Sequence, residues 1–82
     1  MKLPIIRHFQ KNLSSDKLEH AIEALEVFSE HRSVKEEEMD VVGELITNLA
    51  GAIEVHKMIE EGMEERDAAN AFAKRVLGSI DQ

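Results

Sequence analysis

Apolar positions recur along this chain at the three-to-four-residue spacing of helices, and no stretch alternates as a strand would. The longest such stretch covers residues 39–61. Set at 100° per residue, Val41, Val42, Leu45, Ile46, Leu49, Ala52, Ile53, Val55 and Ile59 cover about half of a helical cylinder. His56 falls near the centre of that arc, so it must be hydrogen-bonded, ligated or paired. Upstream, Leu18, Ala21, Ile22, Leu25 and Phe28 share one face behind Ser14, Ser15 and Asp16, three candidate N-caps. Downstream, Glu64 and Glu65 open an alanine-rich stretch with Phe72, Val76 and Leu77 as its larger anchors. At the start, Pro4 suits a first helical position and puts Ile5, Ile6 and Phe9 on one face. An extended reading stays open over so short a window.

Start and stop signals place the boundaries. Basic side chains at His31 and Arg32 suit the negative end of a helix. Ser33 followed by Glu36 has the spacing of a capping box, with Glu37 and Glu38 adding charge to the first turn. Gly62 suits a left-handed C-cap, and Gly78 is expected to end the last helix with Ile80 pinning the tail. The pattern predicts a single all-α domain over 1–82, a small bundle with helices at about 4–11, 15–31, 34–61 and 64–77. Gly43 and Gly51 lie inside the central helix, each costing about 1 kcal/mol relative to alanine. Gly51, between Ala50 and Ala52, makes a small-residue patch where a second helix can cross. Met39, Met58 and Met63 are expected to fill gaps in the core.

Size changes this picture. A chain of 82 residues buries only about 60–65% of its unfolded surface, and such domains lean on disulfides, metals or oligomerisation. There is no cysteine, which removes disulfides, thiolate metal sites and dithiol redox chemistry. The central helix is too long and apolar for two short partners to cover. A two-fold homodimer is therefore expected, with central helices crossing near Leu49, Ala52 and Ile53 and with His56 nearby. A heteromeric protein partner is the alternative.

Charge is unevenly spread over the net −7. Residues 1–12 carry Lys2, Arg7 and Lys11 with no acid, whereas residues 13–65 carry fifteen acids against four bases. An acidic body argues against nucleic acid as a partner, and a basic arm beside it suggests contact between the two. Without a secretory signal or an apolar span, a cytoplasmic protein with no membrane association is expected.

Candidate chemistry is sparse. Glu19, Glu23, Glu26 and Glu30 form a carboxylate row on one face. Carboxylate metal bundles also need an inward Glu-x-x-His unit, and Glu54 and His56 are only two apart. The row lies opposite Leu18, Ile22 and Leu25 and reads as a solvated face. Glu44 and Asn48, one turn apart at the border of the apolar arc, read as a rim or as a buried polar pair that fixes register. His8, His20 and His31 share no face and read as surface residues. No catalytic residue, cofactor or metal ligand is indicated. The balance is against an enzyme and for a protein acting by self-association and protein–protein interaction. The competing class is a ligand-binding protein or enzyme with a pocket around His56, Glu44 and Asn48 at the dimer interface.

Several stretches carry a likeness: residues 2–8 (Lys-Leu-Pro-Ile-Ile-Arg-His), 43–46 (Gly-Glu-Leu-Ile), 51–56 (Gly-Ala-Ile-Glu-Val-His) and 76–81 (Val-Leu-Gly-Ser-Ile-Asp). Together they resemble a family of short bacterial proteins of unknown function. The resemblance brings no assigned activity; it implies a neighbourhood of thioredoxin-like and peroxiredoxin genes, hence an accessory place in a redox or stress system. A weaker likeness is to the helical alkyl-hydroperoxidase D and carboxymuconolactone decarboxylase group, whose redox members use a Cys-x-x-Cys helix followed by a histidine. At the matching place this chain keeps His56 and Gly62 and has neither cysteine. That implies at most a non-catalytic relative.

Overall fold

The computed structural model describes residues 2–80, with side chains through Val76. Four helices follow one another: α1 (Leu3–Asn12), α2 (Ser15–Ser29), α3 (Glu36–Glu60) and α4 (Glu65–Ile80), and no strand occurs among the described residues. Helix α3 is the centre of the fold, with α1, α2 and α4 all packed on it, and α1 also touches α4.

Local chemistry explains the ends. Pro4 sits in the first turn of α1, where a missing N–H costs nothing. The Ser14 hydroxyl accepts from the Lys17 N–H at 3.3 Å and caps α2. Gly62 closes α3 at φ 112°, with Met63 N–H donating to Met58 C=O at 3.1 Å and Gly62 N–H to Ile59 C=O at 3.0 Å. This is a Schellman motif, and its left-handed residue is glycine because a Cβ is penalised there.

Three boundaries differ from the sequence reading. Helix α3 begins two residues late, because the capping bond runs from Lys35 N–H to Glu38 Oε1 at 2.9 Å rather than from Ser33. Ser33 instead donates its N–H and hydroxyl to His31 Nδ1, at 3.1 and 2.7 Å, tying up the loop. Helix α2 accordingly stops at Ser29, and Phe28, expected on its inner face, is 45% exposed. Finally, α4 runs through Gly78, since a helical glycine is only mildly unfavourable and does not by itself end a helix. The expected roles of the Leu77 and Ile80 side chains fall outside the described residues.

The core is one cluster of Ile6, Leu18, Leu49, Ala52, Val55, Ala68 and Phe72. Ile6, Leu18 and Val55 are fully buried, each worth about 1.5–3 kcal/mol of transfer free energy. Met58 fills in at its edge, whereas Met39 and Met63 are exposed and do not serve as core fillers. No helix among the described residues is long and apolar enough to cross a membrane.

Candidate functional site

Two of the α3 polar residues that the sequence singled out, Asn48 and His56, each hold a piece of backbone. Asn48, only 3% exposed, accepts from the Lys2 N–H through Oδ1 at 3.0 Å. Half-buried His56 donates from Nε2 to the Leu13 carbonyl at 2.8 Å. That donation fixes the tautomer: the hydrogen sits on Nε2. Lys2 and Leu13 flank α1 on either side. Asn48 and His56 therefore pin the two ends of one short helix and orient it parallel to α3. A ten-residue helix is marginal by itself, so these bonds and the burial of Ile6 keep α1 in place.

Gly51 lies between the two pins. A Cβ there would come within 3.0 Å of Ile6 Cδ1 and 3.1 Å of Phe72 Cζ. The small-residue patch does receive crossing helices, and they are α1 and α4 of the same chain. Gly43, by contrast, has open space where its Cβ would be.

The six candidate residues are spread along α3. Leu49 and Ala52 are buried within the protomer at 4% and 0% exposure, and Ile53 packs against the core. A crossing of two central helices at Leu49 and Ala52 thus has no free surface, because α3 has three helical neighbours rather than two. Glu44 and Asn48 line one hollow with Lys2, Ile5, Val41 and Leu45. His56 lines another with Ser14, Ser15, Asp16 and Glu60. The two hollows lie at opposite ends of α1, with Glu44 and Asn48 at one and His56 at the other.

Electrostatics are those of exposed side chains. Lys2 Nζ meets Glu44 Oε1 at 3.7 Å and Lys11 Nζ meets Glu65 Oε1 at 3.8 Å, so the basic arm touches the acidic body within the protomer. All four partners are well exposed, and such pairs contribute little to stability. Glu54 binds Lys57 at 3.5 Å and Arg75 at 3.4 Å, with the Arg75 guanidinium 6.0 Å from the Phe72 ring centre. The carboxylates of Glu19, Glu23, Glu26 and Glu30 are exposed on α2, as are His8, His20 and His31. Among the described residues no group of three or more histidines and carboxylates is placed to hold a metal ion.

The match along the chain is as extensive as the helices themselves. A sequence profile covers residues 1–81. The chain belongs to a family of unknown function, DUF6952. No curated protein and no solved structure matches it. The likeness to the alkyl-hydroperoxidase D and carboxymuconolactone decarboxylase group rests on His56 and Gly62 alone, and here both have structural partners or duties.

One group of residues escaped the sequence reading. Ile5, Val41 and Leu45 stand together in one hollow and are 39%, 58% and 36% exposed. Val41 and Leu45 had been counted into the apolar arc, and the signal against burying them was length: α3 outruns a ten-residue α1.

Proposed function

We propose that this protein acts by self-association and protein–protein interaction. The observation carrying that reading is surplus surface. A compact monomer of 9.3 kDa exposes about 5,000 Å², whereas this chain exposes 5909 Å². The difference is close to the roughly 800 Å² that each partner contributes to a standard interface. Shape agrees with area. The radius of gyration is 13.7 Å, against about 12 Å for a compact domain of this length. The extents of 42 × 32 × 16 Å describe a slab.

A flat bundle of this kind gains by covering one of its broad faces. An accessory place in a redox or stress system belongs to the reading only through such a partner, since thiol chemistry needs a cysteine that the chain lacks. The test is solution mass by light scattering. The expected result at tens of micromolar is twice the 9.3 kDa chain mass. A monomer at that concentration sinks the proposal and makes a heteromeric partner the better reading.

A further inference from the structure

The turn between α2 and α3 contains two competing caps for the same helix end. A backbone N–H can only donate, so the 3.1 Å bond from Ser33 N–H to His31 Nδ1 requires that Nδ1 carry no hydrogen. The Ser33 hydroxyl meets the same nitrogen at 2.7 Å, and the imidazole hydrogen therefore sits on Nε2. These two groups of Ser33, its N–H and its hydroxyl, are the ones that a capping box with Glu36 would use. While His31 holds both, α3 starts late, at Glu36, on the bond from Lys35 N–H to Glu38 Oε1 at 2.9 Å.

We propose that His31 is a proton-operated switch for the start of α3: neutral, it holds Ser33 back, and protonated, it releases Ser33 to cap the helix. An imidazolium carries a hydrogen on both nitrogens and has no acceptor left. Its Nδ1–H would face the Ser33 N–H, donor against donor, and the contact is lost. Once free, Ser33 Oγ accepts from the Glu36 N–H, and the Glu36 carboxylate accepts from the Ser33 N–H. Helix α3 then opens at Val34 instead of Glu36.

The charged groups beside His31 come from both helices and from the turn. Glu30 closes α2, Arg32 follows His31, and Lys35 and Glu36 open α3 with Glu37 and Glu38 behind them. Among the described residues none of these forms an ion pair with His31, which leaves Ser33 as the partner of its ring. His31 and Ser33 are both exposed, so the proton comes directly from solvent. Among the described residues no other histidine ring accepts from a main-chain N–H. His56 donates from Nε2 to the Leu13 carbonyl and keeps that bond when protonated, and the His8 ring meets the Asn12 side chain at 3.4 Å.

Nuclear magnetic resonance on the full chain reads both halves of the switch, through the His31 ring and through the Cα shifts of Val34 and Lys35. Histidine changes charge between about pH 8 and about pH 5. Over that range the Val34 and Lys35 shifts are expected to move to helical values, with the same midpoint as the His31 ring. In His31→Asn the carboxamide oxygen can hold the N–H two residues on at every pH, as in an Asx-turn, and those shifts are expected to stay put. In Ser33→Ala the released turn has no hydroxyl to cap with, and they are expected to stay put as well. A His31 ring that titrates while Val34 and Lys35 keep their shifts overturns the switch, as does a pH response that survives in His31→Asn. Each readout is local to residues 31–36, so the result stands apart from the self-association reading.

Discussion

Asn48 and His56 are polar residues with structural duties in an apolar setting. Each faces a main-chain group far away in sequence: Asn48 takes the N–H of Lys2, and His56 gives to the carbonyl of Leu13. Removing one partner of a half-buried hydrogen bond strands the other, which costs about 1–3 kcal/mol. Asn48→Leu and His56→Leu are therefore each expected to lower stability by about 1–2 kcal/mol in chemical denaturation. Because the bonds hold opposite ends of α1, amide exchange should rise throughout that helix in either variant. A His56→Leu protein as stable as wild type, with α1 still protected, would remove the pinning role. That His56 needed a partner was legible in the sequence from its place on the arc, whereas Asn48, at the border, read equally as a rim residue. Who the partners are was not, since 46 and 43 residues separate them.

At the scale of the element, α3 carries two glycines with opposite meanings. Gly43 faces open space, so Gly43→Ala gains helix propensity without a clash and is expected to stabilise by about 1 kcal/mol. At Gly51 a Cβ would press on Ile6 and Phe72, which are 0% and 5% exposed. Overpacking costs about 1–3 kcal/mol and outweighs the propensity gain, so Gly51→Ala is expected to destabilise. Thermal melts of the two variants should move in opposite directions. Two melts shifting upward together would mean that Ile6 and Phe72 yield. Sequence placed both glycines inside one helix, and the order of the four helices followed from periodicity and caps. What it misplaced depended on competition between caps. Glu38 outcompetes Ser33 at the start of α3, and His31 captures the serine hydroxyl instead. Both arrangements satisfy the same local rules, so no window of sequence separates them.

For the whole molecule the deciding quantities are area and charge placement. Each protomer carries −7, so two copies repel at long range, and salt screens that repulsion. Above about 0.15 M salt the Debye length is below about 8 Å, and distant repulsion is already screened. Raising salt from about 0.01 M to about 0.15 M shortens the Debye length from about 30 Å to about 8 Å and should tighten self-association. Weakening over that interval, measured as apparent mass against salt, would mean that opposite charges in close contact hold the copies together.

By itself the sequence determined an all-helical chain with an acidic body, a basic start and a histidine set inside an apolar arc. Those properties are local: helical period, capping side chains and composition act within a turn or two. Only the tertiary structure decided which part of the apolar arc is covered. Three helices pack on α3, and Leu49 and Ala52 are buried, while Val41 and Leu45, beside the first turn of α1, stay 58% and 36% exposed. Burial depends on where a neighbouring helix starts along α3. That offset is set by contacts between residues more than forty apart, which periodicity does not encode.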